Sequence, residues 1–206
     1  VATKLFRLGD QPDYEQPPEQ SLAAQAEREG IPLMEKLYDT VLERDGQELI
    51  YFPIYNYTNG DYGAVHTMMT HPQALQGLGD GGAHVGTICD ASTPTYLMSY
   101  WTRDRQRGER IALPRAVQML TSDITDYLGL KDRGRIKVGQ KADINIIDHD
   151  RLNVLPPYMV KDLPAGGQRL LQRATGYRAT IVSGVPVVLD DEITDARPGR
   201  LVRAGR

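Results

Sequence analysis

A glycine-rich run around one carboxylate constrains this chain more than any other feature of its sequence. Residues 78–86 have the sequence LGDGGAHVG, and a short apolar lead-in at 74–78 precedes the glycines. This lead-in predicts a buried strand that ends abruptly, with Asp80 and His84 in the loop that follows. Because loops at the carboxyl ends of strands hold ligands and catalytic groups in α/β proteins, the run is the first candidate for a functional site.

The glycines on either side of Asp80 allow two interpretations. Glycine permits a left-handed backbone or a close approach of the backbone to a bound group, which favours a functional loop. In such a loop Asp80 and His84 serve one site, as a general base with its partner or as a metal ligand with its support. The alternative is an ordinary turn in which the Asp80 side chain caps the next segment. The sequence alone leaves both interpretations open.

The overall charge and the cysteine content exclude several classes of protein. A net charge of −3 and a pI near 5.8 give no basic footprint for nucleic acid. The single cysteine, Cys89, excludes an intrachain disulfide, and no apolar run approaches the roughly 20 residues that span a bilayer. We therefore predict a cytoplasmic protein that binds neither nucleic acid nor membranes.

The densest group of positive charges lies at 103–110, where arginines are interleaved with acidic residues. Mixed charge of this kind is typical of a helix face that contacts solvent. We therefore interpret the arginines as a solvated surface and not as a binding patch. They are Arg103, Arg105, Arg107 and Arg110.

The first fifth of the chain predicts two helices in succession. One begins after Ser21 and ends at Gly30. The second begins at Pro32, carries an apolar stripe, and is closed by Asp and Gly at 45–46.

Strands and helices then alternate along the chain. The segment 48–56 predicts a strand at a sheet edge, and a short helix follows at 62–69. Prolines open two further helices, one at Pro94 and one at Pro114. Together with the strand before Asp80, this alternation predicts an α/β fold.

The last third of the chain has the character of a β domain, and we place a boundary near Leu130. Residues 142–148 alternate apolar and polar side chains, as in a half-buried strand. The segments 180–183 and 185–189 flank Gly184, which predicts a hairpin.

The other histidines and the cysteine carry weaker functional signals. His66 and His71 lie five residues apart, a poor spacing for joint metal ligation, and His149 lies between two aspartates at a strand end. We interpret His66 and His71 as structural or surface residues, and His149 as a solvated surface residue. Cys89 is interpreted as a small buried hydrophobic residue and not as a nucleophile, because that is the commoner state of a free cysteine.

Three runs together resemble the C-terminal half of N-acyl-D-amino-acid deacylases (D-aminoacylases), which belong to the amidohydrolase superfamily. The runs are GLGDGGAHVGTICDAS, AVQMLTSDITDYLGLKDRGRIKVGQKADINIID and VSGVPVV. The second run contains the pattern G-x-I-x-x-G-x-x-A-D-I, which is specific to the junction between barrel and sandwich in that superfamily. The resemblance is clearest from about Leu75 to Leu189.

The resemblance implies a fold with two parts, a distorted (β/α)8 TIM-like barrel and a small β-sandwich assembled from both chain ends. Residues 1–74 would then form a helical insertion and late barrel elements. Residues 75–130 would hold the last barrel strand and C-terminal helices, and 131–206 would hold sandwich strands and a tail.

The resemblance also implies a reaction. In that family the aspartate after the eighth strand contacts metal and the catalytic water, which it activates before it protonates the leaving amine. Asp80 matches this aspartate, as catalytic base and metal ligand, and His84, Gly81 and Gly82 would line the site around the substrate. The implied activity is removal of the acyl group from a small N-acyl-D-amino acid with one or two zinc ions.

Most of the family's metal ligands have no counterpart in this chain. The HxH pair, the bridging cysteine or carboxylated lysine, and two later histidines are missing. Since a whole barrel takes about 250 residues, we expect this chain to be a C-terminal portion, inactive alone, with the remaining ligands upstream of Val1. Strand edges exposed in such a portion favour homo-oligomers.

Two other functions stay open at this point. One is an amidohydrolase of the same build that acts on cyclic amides, such as hydantoins or dihydropyrimidines. The other is a non-catalytic binding or structural module that kept part of the architecture after losing the metal-binding strands.

Overall fold

The computed structural model describes residues 2–77 and 79–203. They form short helices and strands, and this mixed content is compatible with the predicted α/β class. Across the same residues, no helix combines the length and the apolar character needed to cross a bilayer. The chain packs as two compact units, of which the first contains the residues up to Pro72 together with Gln106–Glu109 and the second contains the rest.

The first unit contains the first two predicted helices. Helix α1, Leu22–Glu29, begins where Ser21 Oγ accepts a hydrogen bond from a main-chain N–H of the first turn at 3.2 Å. It ends at Gly30, which adopts the left-handed conformation. Both predicted ends are confirmed, because each depends only on local capping.

The second and third helices also belong to the first unit. Helix α2, Leu33–Gly46, is confirmed, although residues 43–45 near its end leave the helical conformation. Its apolar stripe lies largely in solvent, with Met34 70% exposed and Tyr38 63% exposed. Helix α3, Gly63–Thr70, matches the short helix predicted there.

A two-stranded antiparallel ladder completes the first unit. Strand β1, Phe6–Arg7, pairs with strand β2, Ile50–Tyr51. The strand predicted for 48–56 is therefore much shorter than expected. Its pairing partner has only two residues, and Pro53 has no N–H with which to extend the ladder.

In its described residues, the second unit contains three α-helices. Helix α4, Thr93–Ser99, continues into a π-helical turn at Tyr100–Asp104. Helices α5, Leu113–Leu120, and α6, Ser122–Leu128, follow. The prolines predicted to open helices lie in the first turns of α4 and α5. Buried side chains from these elements include Trp101, Ala116 and Met119.

The interpretation of the arginine group as a solvated face is wrong for Arg103 and Arg105, whereas Arg107 and Arg110 are exposed as expected. Arg105 is only 2% exposed, and its guanidinium lies 4.7 Å from the centre of the Trp101 ring. Arg103 donates to the main-chain carbonyls of His149 and Leu152. The guanidinium groups are thus satisfied by an aromatic face and by carbonyls from a distant segment, which the local charge pattern does not encode.

The interpretation of His149 as a solvated residue also needs correction. The ring is half-buried, and its Nε2 lies 2.9 Å from Thr102 Oγ1 and 3.0 Å from the main-chain oxygen of Met98. The imidazole therefore helps to join the segment around His149 to the end of α4.

Beyond α6 the chain consists mainly of short strands. They are β3 (Ile144–Ile147), β4 (Asn153–Val154), β5 (Tyr158–Val160), β6 (Arg169–Leu171), β7 (Ala174–Thr175), β8 (Tyr177–Val182), β9 (Val185–Leu189) and β10 (Glu192–Ile193). Four of them form a sheet in the order β10-β9-β8-β3. Strand β4 pairs with β7, and β5 pairs with β6.

The hairpin predicted around Gly184 is confirmed. Strands β8 and β9 are joined by Ser183 and Gly184, whose φ angles are 53° and 80°. Two consecutive positive φ angles match the twist of a two-residue hairpin. All strand pairs in the described residues are antiparallel. The parallel barrel, the sandwich and the segments assigned to them therefore stay predictions.

The buried strand predicted before Asp80 is wrong for residues 74–77, and Leu78 lies outside the described residues. Residues 74–77 form no strand, and the Leu75 side chain is 44% exposed. Within the described chain no other strand pairs with this segment, so its main-chain groups have no ladder to join. An apolar composition alone does not produce a strand when no neighbouring strand is present.

Candidate functional site

The loop that carries the predicted site residues is built from two consecutive turns in the second unit. The main-chain oxygen of Asp80 accepts from the N–H of Ala83 at 3.0 Å. The main-chain oxygen of His84 then accepts from the N–H groups of Thr87 and Ile88 at 2.8 and 3.0 Å. Main-chain groups alone close the first turn, which leaves the Asp80 side chain free of the capping role considered from the sequence.

The Asp80 and His84 side chains are both exposed. Within the part of the chain that the structure describes, neither side chain has a hydrogen bond or an ion pair. They also make no hydrogen bond to each other in that part. A carboxylate and an imidazole so placed are accessible to a substrate from solvent.

The glycines near Asp80 have two different structural reasons. A Cβ added to Gly79 would lie 2.4 Å from the main-chain oxygen of Asp90, and one added to Gly81 would lie 3.1 Å from Ala91 Cβ. Gly82 instead has a φ of 97°, a conformation that side chains disfavour. The close approach expected from the sequence therefore occurs against the chain's own segment at 90–91.

This packing places the main chain of Asp90 against Gly79, so a second carboxylate lies close enough to Asp80 for the two charges to interact. Partial burial, and after it the negative charge of Asp80, raises the pKa of the Asp90 carboxyl. Sequence reasoning missed Asp90 as a member of the site, because ten positions separate the two aspartates in the chain. Only the fold of the intervening loop places them together.

Cys89 lies next to Asp90 and is half-buried. Burial, reinforced by the Asp90 charge, raises the pKa of the Cys89 thiol. A thiol held in its protonated form is a poor nucleophile. This environment supports the interpretation of Cys89 as a structural residue.

Two contacts fix the site loop to the sheet region of the second unit. The main-chain oxygen of Val85 accepts from the N–H of Leu170, in β6, at 2.7 Å. Ser92 donates to the side-chain oxygen of Gln172. Residues 170–172 therefore hold the chain on both sides of Asp90, at Val85 and at Ser92.

A cavity of about 320 Å³ adjoins this loop at Ala91. Its lining includes Thr95 and Tyr177, whose side-chain oxygens lie 2.7 Å apart, and Asp191, which accepts from the Tyr177 N–H. Because these polar groups satisfy one another, they are already engaged within the protein.

The described residues do not form a zinc site. Among them, no three His, Cys, Asp or Glu side chains come together in a way that would hold a metal ion. A catalytic zinc ion requires three protein ligands. Asp80, Asp90 and His84 therefore supply at most part of a ligand set.

Comparison with known proteins identifies one family. A model described as "Amidohydrolase family" matches residues 35–188. This range includes the loop with Asp80, the helices α4 to α6 and most of the four-stranded sheet. Searches of curated proteins and of solved structures gave no match.

Proposed function

This chain belongs to the amidohydrolase family, and on that premise we propose that it removes the acyl group from N-acyl-D-amino acids. The family is one of hydrolases, and the match to 35–188 is the observation that carries the proposal. The match spans the loop in which Asp80 stands exposed and without a hydrogen-bond partner in the described chain. The deacylase specificity rests on the resemblance of that loop and of the runs after it.

Asp80 is proposed as the catalytic base. Its carboxylate takes a proton from a water molecule as the water oxygen forms a bond to the acyl carbon. The carbonyl oxygen gains the negative charge, and the electron pair returns as the carbon–nitrogen bond breaks. Asp80 then gives its proton to the leaving nitrogen, so the products are a carboxylic acid and a free amine.

His84, Gly81 and Gly82 are proposed to contact the substrate. The exposed imidazole of His84 offers a hydrogen bond to the acyl group or to the amino-acid carboxylate. A Cβ on Gly82 would meet nothing within 4 Å, so a substrate is able to approach its main-chain N–H directly, whereas Ala91 packs against the position of the missing Gly81 side chain. These groups would fix the scissile amide beside Asp80.

Zinc, as one or two ions, is proposed as a cofactor of the natural protein. Asp80 would be one ligand. Since the described residues lack a complete ligand set, the remaining ligands would come from parts of the protein outside this chain. The 206-residue chain alone is therefore expected to be inactive.

The proposal also covers the fold of the whole protein, its location in the cell and its oligomeric state. We propose that the helices after Asp80 are the final part of a distorted (β/α)8 barrel and that the antiparallel strands are part of a β-sandwich. The absence of a strand at 74–77 does not support the barrel part. The cytoplasm is the proposed location, and the outer edges of β3 and β10, which pair with no further strand in the described residues, favour a homo-oligomer.

A comparison of linear and cyclic amides tests the substrate class in the natural protein. We expect amine release from N-acetyl-D-amino acids and much slower ring opening of hydantoin or dihydrouracil. The N-acetyl-L-amino acids serve as matched controls for stereochemistry. Faster turnover of the cyclic amides would replace the deacylase proposal with the cyclic-amide alternative, and no turnover of either class would favour a non-catalytic module.

A further inference from the structure

A second cavity, of about 170 Å³, lies in the second unit away from the Asp80 loop. It is formed where the segment after α6 meets the last described residues, and no residue between 79 and 92 lines it. Its lining contains more positive side chains than negative ones. The charged lining residues are Lys131, Asp132, Arg133, Lys141, Arg200 and Arg203.

Two of these cations are already neutralised within the protein. Arg133 pairs with Asp132 at 2.9 Å and with Asp143 at 3.1 Å. Lys141 lies 3.5 Å from the same Asp143 carboxylate. These contacts fix one wall of the cavity and leave it close to electrically neutral.

The other three cations, Lys131, Arg200 and Arg203, are exposed. Within residues 2–77 and 79–203, their side chains make no hydrogen bond and no ion pair. Three positively charged residues thus line one small cavity, and none of them has a counter-charge among the described residues. An anion that occupied this cavity would supply the opposite charge for all three.

The residue types indicate which anion fits. Arginine presents a planar fork of donors that matches phosphate oxygens in pairs, and lysine adds a point charge. A cavity of about 170 Å³ suits a small ligand and not a polymer. The net charge of −3 for the whole chain also opposes binding of nucleic acid at a single small patch.

We propose that this cavity binds the phosphate group of a small molecule through Lys131, Arg200 and Arg203. The proposal does not depend on amide hydrolysis, because none of its residues belongs to the Asp80 loop. It assigns the natural protein a second ligand site, separate from the proposed catalytic one.

Calorimetric titration of the protein with pyrophosphate tests this site. We expect binding with a Kd on the order of 0.1–1 mM, and weaker binding as the KCl concentration rises. Replacing both arginines, Arg200→Gln with Arg203→Gln, should weaken binding by about tenfold or more. Neither substitution should change the unfolding midpoint, because both side chains are exposed and make no hydrogen bond or ion pair in the described chain.

Arg151→Gln is the matched control. Arg151 is also exposed and without a side-chain partner among the described residues, but it does not line the cavity. Its replacement should leave pyrophosphate binding unchanged. An equal loss in Arg151→Gln would show diffuse attraction and overturn the proposal, as would a failure of the unaltered protein to bind pyrophosphate. Tighter binding of an oligonucleotide than of pyrophosphate would also overturn it.

Discussion

Replacing Asp80 by asparagine in the natural protein lowers kcat for amide hydrolysis by about 10²–10⁴-fold. The amide has nearly the same shape as the carboxylate, but it neither takes a proton from water nor returns one to the leaving nitrogen. Because the Asp80 side chain is exposed and has no hydrogen-bond partner in the described residues, the substitution should leave the unfolding midpoint unchanged. Steady-state kinetics and thermal unfolding of the same preparation measure both quantities.

Asp195→Asn provides a matched control for the loss of one negative charge. Asp195 is also exposed, and it lies outside the range 35–188 that matches the family. Its replacement should change kcat by less than about twofold. If Asp80→Asn keeps full turnover, Asp80 is not the base and the proposed mechanism fails.

The second large effect, a loss of stability, is expected from Gly176→Ala. Gly176 has a φ of 99°, and an added Cβ would lie 2.6 Å from Leu152 Cα and 2.7 Å from the Leu152 nitrogen. Leu152 is fully buried, so its backbone has no free space into which to move. Left-handed strain and overpacking together should lower the free energy of unfolding by roughly 3–5 kcal/mol.

Gly184→Ala separates the two causes. Gly184 also has a positive φ, of 80°, but an added Cβ would meet nothing within 4 Å. We expect its replacement to lower the free energy of unfolding by about 1 kcal/mol, from strain alone. Urea unfolding of both variants gives the comparison. Equal losses would mean that the approach of Gly176 to Leu152 is not as tight as described.

Features of the fold that depend on neighbouring residues were predictable from the sequence. The ends of α1 follow from Ser21 and Gly30, which cap the helix within one turn. The β8–β9 hairpin follows from Gly184, because a two-residue hairpin requires positive φ angles at its centre. In each case the residues that specify the structure lie beside it in the chain.

Features that depend on distant partners were not predictable. The segment 74–77 has the composition of a strand, but a strand forms only when another lies alongside. Arg103 and Arg105 were expected to be exposed. Instead, the Arg105 guanidinium lies over the Trp101 ring, and the Arg103 guanidinium donates to carbonyls more than forty positions away. Charge patterns report the sign of a surface, not the tertiary contacts of long side chains.

The candidate site also combines features that neighbouring residues determine with features that distant residues determine. Asp80 and its glycines stand out in the sequence because a carboxylate among residues without side chains is an unusual local pattern. Asp90 did not stand out, since its position beside Asp80 depends on Gly79 packing against the backbone of a later turn. The lack of most of the family's metal ligands, in contrast, was predictable from the sequence, because the HxH pair and the bridging residue have no counterpart in it.

The rate of amine release from an N-acetyl-D-amino acid, before and after metal removal by a chelator, tests the proposed chemistry most directly. We expect the natural protein to release the free amino acid, to lose that activity on chelation, and to regain it when zinc is restored. The 206-residue chain alone should show no activity with or without zinc. No amine release by the zinc-loaded natural protein, or a rate unchanged by complete metal removal, would contradict the assignment of a zinc-dependent amide hydrolase.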